Sequence, residues 1–322
     1  GTALSVLLDD NGHQVTIWSI DPEEVLMLRN YREQRDKLPG VIVPSTVDFT
    51  TDLEGALKDK EIVVCAVPSP FVRSTMKNAS LYIADGTIIV DVAKGIEEHT
   101  YKTMTTIIKE ECPNARVGIL SGPSHAEEVG RGIPTTIVSG SDSKEVAEII
   151  QDTFMNDFFR VYTSPDVIGI ELGGSVKNVI ALAAGIADGL GYGDNTKAAL
   201  ITRGIAEIAR LGTKMGAHME TFYGLSGMGD LIVTCASVHS RNRKAGYLMG
   251  KGYTMQQAMD EVKMVVEGVY SAKAAKALAE KYDVEMPIIM EVNKLLFENK
   301  PASEAVKDLM QREKQGEISW EL

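Results

Sequence analysis

The chain is short of cysteine, of aromatic residues and of positive charge. Its 322 residues include three cysteines (Cys65, Cys112 and Cys235) and 6% aromatics, and 33 basic residues stand against 45 acidic ones for a formal net charge of -12. Three widely separated cysteines with no C-x-x-C pair exclude a disulfide framework and a cysteine zinc site, and they fit a reducing cytoplasm. No metal site of another kind is indicated either. The acid excess argues against nucleic acid or a charged lipid surface as the main partner, because both need a basic face. No stretch reaches about 18 uninterrupted apolar residues, so no integral membrane segment is predicted. Internal repeats and low-complexity tracts are also missing.

What is present is ordinary globular composition, 44% apolar and 24% charged. The length exceeds what one core usually organises, so two domains are expected. In the first half, Gln14–Trp18, Ile62–Val67, Thr87–Val92, Val117–Leu120 and Thr135–Val138 are mostly continuous apolar runs. Such runs read as strands buried on both faces of a parallel sheet. Helical patterns lie between them, around Glu23–Asn30, Tyr101–Glu111 and Ser143–Met155. The sum is an α/β, doubly wound, Rossmann-like domain over residues 1–163. From Ser164 onward, helical spacing takes over in Val167–Leu190, Lys197–Leu211, Val265–Lys281 and Ile288–Glu298, so residues 164–322 are expected to form an all-α domain. The Thr163-Ser164-Pro165 step, with Ser164 as a capping residue, marks the expected division.

The chain opens on a helical pattern from Gly1, closed by Asn11-Gly12 and followed by a strand and then by Ile20 and Asp21. A dinucleotide-binding unit runs strand, glycine loop, helix, strand, then an acidic residue that meets the ribose. Gly1 stands where the last glycine of that loop opens the helix, and Asp21 stands at the ribose position. Asp21 serves equally well as the N-cap of a helix beginning Pro22-Glu23-Glu24. Ala66-Val67-Pro68 and Val92-Ala93-Lys94-Gly95 end later strands, where ligands of doubly wound sheets bind.

Lys177 is out of place. At helical spacing it shares a small, apolar stripe with Ile170, Gly174, Ala181 and Ala184, and an ammonium there is costly unless it is paired or meets a ligand. Gly227 and Gly229 shape a tight loop before Asp230, and Ser240 caps a helix whose first turn holds Arg241, Asn242, Arg243 and Lys244. Cations at the positive end of a helix suggest a bound anion. His125, in Ser121-Gly122-Pro123-Ser124-His125, has no partner at metal-ligand spacing and no nucleophile elbow beside it, so the loop reads as polar binding surface.

Lys94 in VAKGIE, SGPSHAEEVG (121–130), GGSVKNVIALAAGIADGLGYGDNTKAALITRGIAEIARLG (173–212), GMGDLIVTC (227–235), HSRN (239–242) and VVEGV (265–269) together resemble the bacterial NAD(P)-dependent glycerol-3-phosphate dehydrogenases over almost the whole chain. The resemblance implies hydride transfer between a nicotinamide cofactor and C2 of dihydroxyacetone phosphate or sn-glycerol 3-phosphate, supplying glycerophospholipid synthesis. It makes Lys177 the acid/base at the C2 oxygen, with Lys94 beside it and Asp230 orienting both. It implies that Ser240, Arg241 and Asn242 hold the phosphate, that Gly122, Ser124 and Thr234 complete the substrate pocket, and that Gly1, Ile20, Asp21, Lys94, Ala126, Arg241, Val265 and Glu267 face the cofactor. Adjacent cations would lower the Lys177 pKa toward working pH. A homodimer is expected.

Two departures stand out. Family members begin with a strand and a full glycine loop, so roughly a dozen further residues are expected ahead of Gly1 to complete the sheet. Relatives often carry a basic residue after the second strand, whereas here Asp21 would repel a 2'-phosphate, so NAD(H) is expected over NADP(H). Two other readings stand at this level: a related hydroxyacid or phosphosugar dehydrogenase, and a catalytically impaired nucleotide-binding product. Against the acid background, Lys94, Lys177, Arg241, Arg243 and Lys244 are expected to form one electropositive pocket.

Overall fold

The computed structural model describes residues 1–314 and 316, so the last part of the expected 164–322 domain lies outside the described residues. The first half runs α1 (Thr2–Asp10), β1 (Thr16–Trp18), α2 (Pro22–Tyr31), β2 (Asp48–Thr50), α3 (Leu53–Leu57), β3 (Ile62–Cys65) and α4 (Val72–Ala79). It continues with β4 (Ile88–Asp91), α5 (Met104–Glu111), β5 (Arg116–Ser121), α6 (Ala126–Val129), β6 (Thr135–Gly140), α7 (Lys144–Phe154) and β7 (Phe159–Ser164). β1 and β2 pair in parallel, and β3-β4-β5-β6-β7 form a second sheet in that order. Every residue of β4 is buried, which is why IIVD reads as a continuous apolar run. All three cysteines are buried and free.

Three details correct the expectations. β6 runs antiparallel to β5. Residues 122–134 between them hold only the four-residue helix α6, too little for the crossover that a parallel return requires. β7 carries no continuous apolar run, because it alternates buried Phe159 and Val161 with exposed Arg160 and Tyr162 at the sheet edge. β2 is only three residues, DFT, too short to show a pattern.

Asp166, not Ser164, caps the first helix of the second half: its Oδ1 accepts the Gly169 N–H at 3.0 Å and its Oδ2 accepts the His218 N–H at 2.9 Å. That helix is α8 (Val167–Leu190), followed by α9 (Asp194–Lys214), α10 (Met219–Tyr223), a π-helical turn at Leu225–Gly229 and α11 (Asp230–Ala236). α12 (Arg241–Gly250), α13 (Met255–Val262), α14 (Glu267–Lys281), α15 (Pro287–Phe297) and α16 (Ala302–Met310) complete it. α8 is long and apolar enough to cross a membrane, yet 94% of its apolar stretch is buried against the rest of the chain, so it is the spine of this half.

α8 and α12 touch backbone to backbone. A Cβ at Gly185 would overlap the Arg243 carbonyl, one at Gly189 the Tyr247 carbonyl, and one at Gly246 the Leu182 carbonyl with Ile186 N only 3.0 Å away. A Gly246→Val variant is therefore expected to lose about 1–3 kcal/mol, read as a thermal-melt drop of at least about 2 °C. Gly193→Ala, where a Cβ meets nothing within 4 Å, is the control. Equal melting of the two variants would contradict this packing account.

Candidate active site

Three segments meet beyond the carboxyl ends of β4 and β5. The first is the loop after β4. Asp91 Oδ1 accepts the Ala93 N–H at 3.1 Å, Ser175 of α8 donates to the Gly95 carbonyl at 3.1 Å, and Arg73 of α4 forks onto Glu97 through Nε at 2.6 Å and Nη2 at 2.8 Å. Pinned at both ends, this loop delivers Lys94. The second segment is α8, tied to the first half by Glu171, which accepts the Thr105 N–H at 2.8 Å and its hydroxyl at 2.7 Å. The third is the π-turn leading into α11. Gly173 on α8 has the Ser226 carbonyl where a Cβ would lie, at 2.7 Å. The glycines beside Lys177 thus admit the π-turn and the Lys94 stem, which passes 3.7 Å from a Cβ at Gly174.

Asp230 lies between the two lysines. Lys94 Nζ donates to its Oδ2 at 2.7 Å and to the Gly122 carbonyl at 2.9 Å, while Lys177 Nζ donates to its Oδ1 and, at 2.6 Å, to Thr234 Oγ1. Thr234 in turn donates to the Asp230 carbonyl at 2.6 Å. Lys177 is 4% exposed and Asp230 1%. Burial tends to raise the Asp230 pKa, but Lys177 and Lys94 more than reverse it, so the carboxyl lies below its usual range and is ionised. Burial pulls Lys177 down to about 8; Asp230 opposes the drop and Lys94 adds to it. Desolvation is therefore the main cause, ahead of the neighbouring cation expected from sequence. Two ammonium groups share one carboxylate, and Lys177 is the group poised to give up a proton near neutral pH.

The expected single basic pocket divides. Arg243 turns away to Asp188 of α8, with Nε at 2.9 Å and Nη2 at 2.7 Å from Oδ2. Residues two apart on a helix point roughly 200° apart, so Arg241 and Arg243 cannot share a face. Lys244 is exposed. Arg241 is exposed too, and its Nη1 reaches the Val265 carbonyl at 3.4 Å just before α14. Ser240 caps α12 through the Arg243 N–H at 3.2 Å. Asn242 is buried and engaged inside the protein: its Nδ2 donates to Asn178 Oδ1 at 2.9 Å and its Oδ1 accepts the Gly268 N–H at 2.9 Å. Asn178, unassigned from sequence, reaches the carbonyls of Lys94 and Gly174, both at 3.5 Å. An asparagine inside an otherwise apolar helix was the available signal.

Gly122 holds φ +141°, a conformation open to glycine, with Ile137 Cα 3.2 Å from where a Cβ would lie. Ser124 donates to the Gly122 carbonyl at 3.0 Å, and Ala126 begins α6. Glu267 begins α14; burial raises its pKa against the pull of Arg241. Gly1 precedes α1 with a Cβ position 3.7 Å from Ala66, and Asp21 Oδ1 caps α2 by accepting the Glu23 N–H at 3.0 Å. Among the described residues no His, Cys, Asp or Glu cluster suits a metal.

A sheet whose strand-end loop delivers Lys94 to a lysine–carboxylate pair buried in the helical half has the build of a two-domain, nucleotide-dependent oxidoreductase. Comparison narrows the class. Residues 1–147 match the NAD-dependent glycerol-3-phosphate dehydrogenase N-terminus and residues 166–307 the C-terminus of the same family. The chain is 63% identical to glycerol-3-phosphate dehydrogenase [NAD(P)+] of Agathobacter rectalis, over 99% of this chain and 95% of that protein. It is 59% identical to the enzyme of the same name from Fusobacterium nucleatum, over 99% and 96%. Among solved structures, glycerol-3-phosphate dehydrogenase of Coxiella burnetii superposes with a TM-score of 0.93 at 33% identity, covering 97% of this chain and 95% of that one. The chain belongs to the NAD-dependent glycerol-3-phosphate dehydrogenase family.

Proposed function

We propose that this chain reduces dihydroxyacetone phosphate to sn-glycerol 3-phosphate, and runs the reverse, with Lys177 as acid/base at the C2 oxygen. The carrying observation is the buried Lys177–Asp230–Lys94 cluster, in which one lysine is held near neutral pKa. When bound, the nicotinamide supplies the hydride to C2 or takes it back. In reduction, Lys177 gives its proton to the C2 oxygen; in oxidation, the neutral amine takes it. Lys94 points the other positive charge at the same oxygen, and Asp230 holds both ammonium groups in place.

The residues fit a dinucleotide. Ile20, 81% exposed, offers an apolar face for an adenine beyond β1. Asp21 keeps its second carboxylate oxygen free for a ribose diol while the first caps α2. Lys94, Ala126, Arg241, Val265 and Glu267 are assigned to the nicotinamide side, with Gly1 at the helix that would face the pyrophosphate. Gly122, Ser124, Thr234, Ser240, Arg241 and Asn242 are assigned to the substrate. Thr234 and Asn242 act through their neighbours as much as on the ligand, because their polar atoms are already engaged. We place the division between the domains at residues 163 and 164.

Asp21 favours NADH. A carboxylate beside a 2'-phosphate is repelled, so kcat/KM for NADH is expected to exceed that for NADPH, and Asp21→Ser to narrow the ratio by about tenfold, a like-charge effect of some 1.4 kcal/mol. Steady-state rates at 340 nm with the two cofactors decide it, and a wild-type preference for NADPH would refute it. A homodimer, a cytoplasmic setting supported by three buried free thiols, and a role in supplying glycerophospholipid synthesis complete the proposal.

A further inference from the structure

His125 has a buried ring nitrogen with nothing to bond. Its Nε2 is shielded from water and has no hydrogen-bond partner among the described residues. Buried polar atoms are nearly always satisfied, so one that is not invites a ligand. The loop that carries it is fixed, since Lys94 clamps the Gly122 carbonyl at 2.9 Å and Pro123 Cδ packs 3.8 Å from a Cβ position at Gly229 on the π-turn. On one side lies the cluster of Lys94, Lys177 and Asp230, close enough that Lys177 and Lys94, together with burial as the leading cause, hold the imidazole below its usual pKa and neutral. On the other side its ring is 6.1 Å from His239, the residue before Ser240 at the start of α12. His239 Nδ1 is 3.9 Å from Glu127 Oε1.

The donors assigned to the phosphate leave room for another. Arg241 is partly spent on the Val265 carbonyl and Asn242 on Asn178 and Gly268. We propose that His125 is a substrate-binding residue whose Nε2–H donates to the phosphate of the substrate, between Lys177 and the N-terminus of α12. The tautomer required carries its hydrogen on Nε2, with the ring neutral. A neutral donor is suited to the place, because it adds a hydrogen bond without another positive charge beside Lys94 and Lys177. The inference rests on the dehydrogenase reading of the site and adds to it a contact with the phosphate end of the substrate.

The test compares wild type, His125→Phe and His125→Gln on dihydroxyacetone phosphate and on unphosphorylated dihydroxyacetone, both with NADH, alongside melting curves. A hydrogen bond to a charged group corresponds to roughly a 10- to 100-fold effect. His125→Phe is thus expected to raise KM for the phosphorylated substrate by about tenfold or more, with a smaller change in kcat, and to lower the phosphorylated-to-unphosphorylated ratio of kcat/KM accordingly. His125→Gln, which keeps an N–H donor, is expected to recover part of the ratio. An unchanged ratio in a folded His125→Phe protein overturns the inference, as does an equal loss on both substrates. The second readout needs no turnover: inorganic phosphate added to the wild type is expected to shift the His125 ring NMR signals, and their indifference to phosphate overturns the inference. A wild type with no turnover whose His125 still responds to phosphate defeats the dehydrogenase reading and leaves the contact standing.

Discussion

Lys177→Met is expected to lower kcat/KM for dihydroxyacetone phosphate reduction by about 10²- to 10⁴-fold, the range a positioned acid contributes. Methionine fills the buried site with a similar stem, and Asp230 keeps Lys94 as its partner, so the melting temperature is expected to hold. The wild-type pH profile tests the same group. Lys177 must be an ammonium for reduction, and with its pKa near 8 the reductive rate is expected to be flat below pH 8 and to fall about tenfold per unit above it. Oxidation needs the neutral amine, so its rate should rise as pH passes through 8 and level off. Steady-state rates in both directions across pH 6–10 check this. A variant with kcat/KM within a few-fold of wild type, or profiles without opposite limbs near pH 8, would remove Lys177 from the role of acid.

Asp230→Ala has the second large effect, and it acts on both stability and rate. Removing one partner of a buried ion pair costs about 3–5 kcal/mol because the remaining charge is left uncompensated. Here two ammonium groups lose the carboxylate that they share. Lys177 escapes part of that cost by losing its proton, so its pKa is expected to fall below 8. The reductive limb then moves to lower pH while the oxidative reaction keeps more of its rate. Thermal melting should drop by several degrees, at about 2–4 °C per kcal/mol for a domain of this size. Asp230→Asn, which keeps one acceptor, should fall between Asp230→Ala and wild type. A melting curve and a reductive limb both unchanged in Asp230→Ala would show that the carboxylate does not hold the lysines.

How much of this was legible beforehand varies with the kind of signal. Val167–Leu190 is readable to the residue as α8, because a long run of Ala, Leu and Ile at helical spacing has few other solutions, although its cap is Asp166 and not the expected Ser164. The charge of Lys177 in that pattern calls for a partner or a ligand, since a buried ammonium is costly unpaired, and it is the family resemblance that names Asp230 and Lys94. What was not readable is direction. Arg241, Arg243 and Lys244 look like one cluster in the chain, but the helical turn separates them and Asp188 captures Arg243. The antiparallel turn of β6 was hidden for a similar reason, because apolar runs reveal burial and carry no strand direction. β7 escaped because an edge strand alternates. The engagement of Asn242 by Asn178 and Gly268 depends on three helices meeting, and no local pattern records that.

The backbone contact between α8 and α12 has a consequence for substrate length. Lys177 rides on one of these helices and Ser240 caps the other, and where they cross, Gly185, Gly189, Gly246 and Gly250 bring backbone against backbone. The two helices are therefore held like the fixed jaws of a calliper, and under the proposed function one jaw carries the acid for the carbon that changes oxidation state and the other the cap beside the phosphate. Under that proposal a homologue of the substrate longer by one carbon is expected to buckle to reach both jaws, because their backbones already touch.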